Sequence, residues 1–542
     1  MRSSLKRNSA CWNRPALLLL AALLSATGCA RLLRPDPLVM LAAPPQLPGP
    51  RQVIVVSDMH LGLGERAPGQ PDPYEDFRWA DELQRFLDAI DAAGGGATDL
   101  VLNGDTLELW QSRRSSCQSP SPDVGCSSTE ALARLAEVAA AHGRELAALG
   151  RFADAAQNRI VVVPGNHDAA LLYPEVAAAA VQAMGARPGR VQVSSAGYWL
   201  SADGAIYAEH GHQTGLDAAN RFRDWPRPFL KCPDGACLQR PWGEQFVREF
   251  FNRYEDKYPT LDNILPLTDA AKYGLASEQV AGGAEAVRTF VDLLLRETSP
   301  AQGRSLLSAY LSVPRWDVAQ IRATGNWLLG PQVLPSGDAL AAAVGQAQQQ
   351  QTLGSSVAAL TTGQIVSLCD QRYLLNVALA TLGRSTPAAC PAISSVAAVA
   401  ADLQRDWQSL LGEHVDAVRQ ALREQRGVSQ PLRVFIYGHT HVAQAPFVLQ
   451  RGALPVQVVN TGAWQRTTSA AWVESERQRR GLTLPATLSA LRLEELPACY
   501  PLVRIAPHAS DTAPEPQLQS FQQLAGAWQL RSGACAASAA QH

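Results

Sequence analysis

Five short polar motifs, each directly after a predicted buried strand, constrain the fold of this chain more than any other feature. The predicted strands are continuous apolar, β-branched segments bounded by glycine or proline, a pattern typical of buried strands in α/β proteins. They cover residues 52–56, 99–102, 160–163, 205–208 and 433–436. Side chains just past the carboxyl ends of the strands of an open α/β sheet meet in one crevice. The sequence therefore predicts an α/β fold in which five distant segments build one site.

The five motifs supply imidazole, carboxylate and amide groups. They are Asp58-x-His60, Gly104-Asp105, Gly165-Asn166-His167-Asp168, His210-Gly211-His212 and Gly438-His439-Thr440-His441, and they hold six of the ten histidines of the chain. Nitrogen and oxygen ligands without thiolate suit Mn, Fe, Zn or Co. A carboxylate such as that of Asp105 can bridge two ions roughly 3.5–4 Å apart. The motifs therefore predict a site for two divalent metal ions.

The order of the motifs resembles that of the calcineurin-like binuclear metallophosphoesterases. The resemblance implies a four-layer α/β/β/α sandwich and hydrolysis of phosphate ester or pyrophosphate bonds by a hydroxide activated by two metals. It implies that one metal is held by Asp58, His60 and His441 and the other by Asn166, His210 and His439, with Asp105 between them. It makes His167 the catalytic histidine beside the leaving group and Asp168 the carboxylate that orients it.

Several residues near the motifs leave alternatives open. His210 is preferred to His212 as a ligand because it comes first after the strand, and His212 is assigned a substrate-binding or supporting role. Glu108 follows the second motif closely enough to reach the site, and a solvated or capping role is equally open. His142 and His414 are interpreted as ordinary surface residues of helices.

The N-terminus predicts export. Basic residues precede a short apolar segment at 16–24, and small residues lead into Cys29. Residues 1–28 are therefore predicted to be a signal peptide, and the residues before Cys29 resemble a bacterial lipoprotein cleavage box, with ordinary secretion as the alternative. Six prolines between residues 31 and 50 predict a stiff, extended tether over 29–50 that is not part of a core. The expected location is the bacterial cell envelope, periplasmic or on the outer membrane, with membrane contact through the N-terminal lipid only.

Eight further cysteines fall in neighbouring pairs, which in an exported protein predicts disulfides. The preferred pairing is Cys117–Cys126, Cys232–Cys237, Cys369–Cys390 and Cys499–Cys535. It is one choice among the 105 connectivities that eight cysteines allow. A thiolate metal site is disfavoured because the chain has no Cys-x-x-Cys motif.

The spacing of the motifs predicts a split domain. His210 and His439 are 229 residues apart, whereas the other intervals span 44 to 61 residues. Residues 226–430 are therefore predicted to be a mostly helical insert, which either covers the site or packs away from it. The phosphoesterase core comprises 51–225 and 431–508, and 509–542 form a C-terminal tail.

A metal-dependent phosphoesterase is the function that these features favour. A formal charge of −2 argues against a nucleic-acid partner bound through bulk positive charge. The expected substrate is a phosphorylated small molecule or a lipid-linked phosphate, and the choice between phosphatase, phosphodiesterase and pyrophosphatase stays open. The alternative is a non-catalytic envelope protein that retains the metal site to bind a phosphorylated ligand. His167 separates the two hypotheses, since a binding protein does not need a proton donor.

Overall fold

Two β-sheets with helices on their outer faces form the framework of the protein. The computed structural model describes residues 38–47, 49–112, 117, 121–214, 220–233, 235–248, 252–265, 396–450, 454–508 and 512–535. The predicted signal peptide, Cys29, the Cys369–Cys390 pair and most of the predicted insert lie outside the described residues.

The strands follow one another along the chain as β1 Gln52–Val56, β2 Glu65–Ala67, β3 Gln70–Pro71, β4 Thr98–Asn103, β5 Val124–Ser127, β6 Arg159–Val163, β7 Val191–Val193, β8 Tyr198–Leu200, β9 Ile206–Glu209, β10 Phe229–Cys232, β11 Gly235–Gln239, β12 Ile264–Leu265, β13 Val434–Tyr437, β14 Gln444–Leu449, β15 Val456–Asn460, β16 Thr468–Ser469, β17 Cys499–Ile505, β18 Pro516–Leu524 and β19 Ala527–Ser532. The α-helices are α1 Ala80–Gly94, α2 Ser128–Ala141, α3 Gly143–Asp154, α4 Pro174–Met184, α5 Trp242–Phe246, α6 Asn252–Glu255, α7 Val396–Arg426, α8 Ala470–Arg480 and α9 Leu484–Ala490. No helix in the described parts of the chain is both long enough and apolar enough to cross a membrane.

The two large sheets combine parallel and antiparallel strands. Among the described residues, the first sheet has the order β19-β18-β17-β1-β4-β6-β7 and the second has the order β14-β15-β13-β9-β8. Strands β1, β4 and β6 run parallel to one another, and β13 runs parallel to β9 and β15. The carboxyl ends of each parallel set therefore meet at one edge of its sheet.

Successive apolar side chains of each strand point to opposite faces of its sheet and so belong to three separate apolar clusters. Ile54 of β1 belongs to the cluster that contains Phe86 of α1, whereas its neighbour Val55 belongs to the cluster shared with Ile436 of the second sheet. The outer face of the second sheet packs against Val415 of α7. Because successive side chains of a strand point to opposite faces, this pattern gives the layer order helix, sheet, sheet, helix. The predicted four-layer α/β/β/α sandwich is confirmed.

The proline-containing segment before the core does not behave as predicted. Residues 38–47 pack on the second sheet, with the Met40 side chain buried in its outer apolar cluster. The Gln425 side chain accepts a hydrogen bond from the Met40 N–H at 2.9 Å and donates one to the Leu38 carbonyl at 2.7 Å, and the Tyr198 hydroxyl donates to the Leu41 carbonyl at 2.6 Å. The prediction of a free tether over 29–50 is wrong here because proline prevents ladder pairing but does not prevent apolar docking.

The described part of the predicted insert is not only helical. The hairpin β10–β11 pairs with β5, and β12 pairs with β16 near the C-terminal part of the core. Helix α7 begins within the interval assigned to the insert, but its residues 411–422 belong to the outer layer of the second sheet.

Two histidines predicted to be on helix surfaces contact carboxylates. His142 lies buried between α2 and α3, with its Nε2 3.1 Å from Glu75 Oε2 and its Nδ1 3.6 Å from Glu145 Oε1. Burial alone would lower the pKa of His142, but these carboxylates raise it to about 9. His414 is half-buried, and its Nε2 lies 2.6 Å from an oxygen of Glu209. The surface interpretation was wrong because Glu75 and Glu209, which contact these two rings, are distant from them in sequence.

Three of the predicted disulfides are present. They are Cys117–Cys126, Cys232–Cys237 and Cys499–Cys535. The last of them links β17 to the end of the described chain, across a sequence separation of 36 residues.

Candidate metal centre

The five predicted motifs meet where the parallel strands of the two sheets end. Backbone hydrogen bonds join them directly: the Asp58 N–H donates to the Gly104 carbonyl at 3.0 Å, and the Gly438 N–H donates to the His210 carbonyl at 2.7 Å. The first of these bonds links two motifs of the first sheet, and the second links two motifs of the second sheet. The site is therefore assembled at the shared edge of the two sheets.

Among the described residues, three groups of three side chains converge there, and within each group the potential ligand atoms all lie within 4.8 Å of one another. Two groups consist of predicted ligands: Asp58, His60 and His441 form the first, and Asp105, His210 and His439 form the second. The remaining group is His60, Glu108 and His167. The Asn166 Oδ1 atom lies 3.0 Å from His210 Nε2, which adds the predicted amide oxygen to the second group. The structure thus brings together all seven predicted ligands in the two predicted sets.

Asp105 lies between the two groups. Its Oδ2 atom is 2.9 Å from His210 Nε2 in the second group and 3.9 Å from His60 Nε2 in the first. Its Oδ1 atom accepts a hydrogen bond from the His167 N–H at 2.8 Å. One carboxylate oxygen therefore faces both groups, which is the position that a ligand shared by two ions requires.

Five of these residues have a left-handed backbone conformation that residues other than glycine rarely adopt. Their φ angles are positive: Asp58 55°, His60 49°, Asp105 50°, His439 68° and His441 59°. Such conformations cost about 1–3 kcal/mol each and cluster at functional sites. Both i, i+2 pairs, Asp58 with His60 and His439 with His441, have this conformation at each member. The repeated sequence spacing therefore corresponds to a repeated sharp turn after a strand.

Two glycines make room for this arrangement. A Cβ atom on Gly104, whose φ is 90°, would lie 2.3 Å from the imidazole of His210. A Cβ atom on Gly438 would lie 2.3 Å from Ser57 Oγ and 2.8 Å from Asp58 Oδ2. The glycines of two motifs are therefore required because backbone and ligand side chains approach closely.

Hydrogen bonds fix the orientation of two of the imidazoles. His210 Nδ1 lies 3.1 Å from the Asn103 carbonyl, and His60 Nδ1 lies 3.2 Å from Glu108 Oε2. Both oxygens accept, so each Nδ1 donates a hydrogen bond and each Nε2 faces the site. A metal would bind through Nε2 after that nitrogen lost its proton.

The residues present fit a cationic group. Asp58 is fully buried, and its Oδ1 atom has no hydrogen-bond donor among the described residues although it lies 3.4 Å from His441 Nε2. Burial alone would raise the pKa of Asp105, but His210 and His167 hold it well below its usual range, so the carboxylate is ionised. Buried carboxylates with converging imidazole nitrogens and an amide oxygen match divalent ions such as Mn, Fe, Zn or Co.

His167 has a different carboxylate partner from the one predicted. Its Nδ1 contacts Glu108 Oε2, and its ring stacks on the indole of Trp110 with a centroid distance of 3.8 Å. Burial lowers the pKa of His167, but Glu108 and Asp105 raise it to about 9, while the pKa of Glu108 falls to about 2 against the effect of burial because of His167. The two groups therefore form an ion pair through Nδ1 of His167.

The prediction that Asp168 orients His167 is wrong. The Asp168 carboxylate accepts backbone hydrogen bonds from Gly165 at 2.6 Å and Thr106 at 2.9 Å, and it joins the loops of the second and third motifs. Its pKa is raised to about 7 by burial and by the charge of Asp105. Residues adjacent in a tight turn point in different directions, so Asp168 faces the backbone while His167 faces the site. Glu108, left open by the sequence, is the orienting group.

His212 does not have the surroundings of a substrate-binding residue. Its side chain is 2% exposed and packs edge-on against Trp225, with a ring-centroid distance of 4.4 Å. Burial and the neighbouring His210 hold its pKa well below the ordinary value, which keeps the ring neutral. The structure therefore supports a packing role behind His210.

Comparison with known proteins agrees with this site. Residues 51–296 match the family model for calcineurin-like phosphoesterases. The match contains the first four motifs and ends before His439 and His441, which the structure nevertheless brings into the same centre. No curated protein matches the chain in a sequence comparison. Residues 51–296 are therefore similar to calcineurin-like phosphoesterases, and the ligand groups that the structure brings together fit a metal-dependent phosphoesterase.

Proposed function

We propose that this protein hydrolyses phosphate ester or pyrophosphate bonds with the help of two divalent ions. Asp58, His60 and His441 would hold one ion, Asn166, His210 and His439 would hold the other, and Asp105 would contact both. When bound, the two ions would neutralise the phosphoryl charge and lower the pKa of a water that attacks phosphorus. The observation that carries the proposal is the convergence of these side chains, all buried except the half-buried His439, at the ends of parallel strands.

The chain's own residues supply the proton that the leaving group needs. His167 is the more exposed imidazole beside His60, with 16% of its side chain accessible against 5%. Glu108 accepts from its Nδ1, and this keeps the ring protonated with Nε2–H free to donate. Trp110 holds the ring by stacking, so its direction is set before substrate binds.

The His167–Glu108 pair favours catalysis over the alternative of a non-catalytic binding protein. A protein that only binds a phosphorylated ligand needs charge and hydrogen bonds, but it does not need a protonated imidazole aligned by a buried carboxylate and a stacked indole. We propose as substrate a phosphorylated small molecule or a lipid-linked phosphate.

We further propose that the protein acts outside the cytoplasm, in the bacterial cell envelope, with Cys29 lipid-modified and residues 1–28 removed. Support comes from the three disulfides of the described core, since such bonds persist in oxidising compartments. Membrane contact would run through the N-terminal lipid alone. Metabolic labelling with a fatty acid tests this directly, because Cys29→Ser should abolish incorporation of the label.

Turnover of simple phosphoesters tests the enzymatic proposal. The protein loaded with Mn²⁺ should hydrolyse at least one substrate from a panel of an aryl phosphate monoester, an aryl phosphate diester and a nucleoside diphosphate sugar. His167→Ala should lower kcat by about 10²–10⁴-fold with the metal content unchanged, and His508→Ala, far along the chain and paired with Asp203, serves as the control. Phosphate binding without turnover of any of these substrates would favour the binding protein instead.

A further inference from the structure

A sixth polar segment, Asn460-Thr461-Gly462, follows a buried strand of the second sheet. Its side chains belong to none of the three ligand groups that converge at the site among the described residues. The segment starts at the last residue of β15, which pairs in parallel with β13, the strand that leads into the fifth motif. Asn460 is 1% exposed and Thr461 is 0% exposed. Buried polar groups require hydrogen-bond partners, and these two find theirs in the fifth and the first motif.

The amide of Asn460 binds the turn of the fifth motif. Its Nδ2 donates to the Gly438 carbonyl at 3.1 Å and to Thr440 Oγ1 at 3.0 Å, so it contacts the turn on both sides of His439. Its Oδ1 accepts from the Gly462 N–H at 2.8 Å. The φ angle of His439 is 68°, and such conformations persist only where the surrounding structure determines them. The Asn460 amide is one of the contacts that hold this turn.

Two buried hydroxyl groups form a chain that ends on Asp58. The Ser57 Oγ contacts Asp58 Oδ2, and it lies 2.6 Å from Thr461 Oγ1 and 2.9 Å from the Gly462 carbonyl. A hydroxyl has one proton, and a hydrogen bond to a carboxylate is roughly twice as strong as one to a neutral acceptor. Ser57 therefore donates to Asp58, which leaves Thr461 to donate to Ser57.

This chain gives the two oxygens of Asp58 different surroundings. Oδ2 accepts from the Ser57 hydroxyl and from the His439 N–H at 3.1 Å. Oδ1 has no hydrogen-bond donor among the described residues and lies 3.4 Å from His441 Nε2. The protein therefore binds one oxygen of the carboxylate and directs the other towards the site.

We propose that Ser57 and Thr461 are positioning residues that set the affinity of one of the two ions without touching it. This first ion is the one that Asp58, His60 and His441 would hold, so the inference rests on the proposed function. Hydrogen bonds to a ligand fix its orientation, and their loss typically costs about 10–100-fold in metal affinity. Without the Ser57 hydroxyl, the Asp58 carboxylate would be less firmly held, and the ion would have to orient it.

Asn460 should act on both ions. The turn that it holds supplies His441 to the first ion and His439 to the second. Asn460→Ala should therefore weaken both ions, whereas loss of a hydroxyl from the chain should weaken the first ion only. This difference separates the two parts of the segment.

Equilibrium dialysis of the whole chain with Mn²⁺ tests the proposal. Ser57→Ala should raise the Kd of one ion by about 10–100-fold and leave the other within about threefold of the wild type. Ser194→Ala is the matched control, because Ser194 is 0% exposed and its hydroxyl donates to the Tyr198 carbonyl at 2.6 Å. It loses a buried hydroxyl in the same way, but both Mn²⁺ affinities should stay within about threefold of the wild type.

Electron paramagnetic resonance identifies the weakened ion. His441→Ala removes a ligand of the first ion only, and Asn166→Ala removes a ligand of the second only. With one Mn²⁺ supplied per chain, Ser57→Ala should give the spectrum of His441→Ala. The spectrum of Asn166→Ala would contradict the assignment to the first ion.

A pair of variants at Thr461 separates the hydroxyl from packing. Thr461→Val removes the hydroxyl and keeps the shape of the side chain, and it should weaken the first ion by about five- to tenfold. Thr461→Ser keeps the hydroxyl and loses a methyl group, and its affinities should stay within about threefold of the wild type. A purely structural role would make the loss of the buried methyl group at least as harmful.

The outcomes distinguish this inference from the proposed function. A wild type that does not bind two ions would refute the metal centre and the inference with it. Two ions bound equally well by the wild type, Ser57→Ala and Thr461→Val would refute the positioning roles alone. If Ser57→Ala does not fold, the two Thr461 variants decide.

Discussion

The ion pair between His142 and Glu75 makes the stability of the fold depend on pH in a way that one substitution should remove. His142 links α2 and α3 to the segment before α1, and its pKa is raised to about 9 by Glu75 and Glu145 against the effect of burial. In the unfolded chain the pKa of histidine is about 6.5. At 1.36 kcal/mol per pKa unit, this difference corresponds to about 3 kcal/mol of stabilisation of the charged form.

The sign follows from the raised pKa. Because the folded protein holds the proton more tightly than the unfolded chain, the stabilisation is complete below about pH 6.5 and is lost as the pH rises through about 9. His142→Gln should therefore lower the free energy of unfolding by about 3 kcal/mol near pH 6, and by much less near pH 10. Gln can still donate one hydrogen bond to Glu75, so the variant mainly removes the charge.

Urea unfolding of the oxidised protein at a series of pH values, with the metal supply held constant, measures this effect. Other groups titrate in the same range, so the informative quantity is the difference between the wild type and His142→Gln at each pH. Glu75→Gln should lose part of the same pH-dependent difference, since Glu145 remains 3.6 Å from His142, and adding Glu75→Gln to His142→Gln should leave no further pH-dependent loss. A difference that does not change between pH 6 and pH 10 would refute the assigned ion pair.

Three further predictions concern single contacts. Glu108→Gln should lower kcat by about 10- to 100-fold with two metals retained, and Glu137→Gln on the surface of α2 should leave kcat unchanged in the same assay. Replacing the Cys499–Cys535 bond by two serines should lower the unfolding free energy by about 4 kcal/mol, from the loop that it closes, and a loss below about 1 kcal/mol in denaturant titration would contradict this estimate. Met40→Ala should cost about 2–5 kcal/mol if residues 38–47 dock as described, whereas a free tether would show no change in Tm.

Much of the site could be predicted from sequence because its ligands belong to short motifs at strand ends. Asp58 with His60, and His439 with His441, have a spacing that the strained turns require, so local sequence and site geometry agree. The α/β class was likewise predictable, since apolar β-branched segments bounded by glycine indicate buried strands, whereas the four-layer sandwich was expected from the resemblance to a known family. These features are local, and the sheet then brings the motifs together.

The errors concern contacts between side chains that are distant in sequence or that point away from their neighbours. Glu108 and His167 are 59 residues apart, and His142 and Glu75 are 67 residues apart, so no local sequence pattern predicts either pair. Asp168 is next to His167 in the sequence, yet the turn directs it to the backbone of the second motif. The docking of Met40 was missed because proline content indicates an extended chain without indicating what that chain packs against.

The central claim is that seven side chains hold two adjacent divalent ions, and metal stoichiometry combined with electron paramagnetic resonance tests it most directly. The protein should be reconstituted with Mn²⁺ in excess Ca²⁺, which keeps other oxygen sites occupied, and its metal content then measured. Two Mn²⁺ per chain with an exchange-coupled spectrum are expected, because Asp105 faces both ligand groups and would be shared by the two ions. Asp105→Ala should abolish the coupling. At most one Mn²⁺ per chain, or two uncoupled ions in the wild type, would contradict the account.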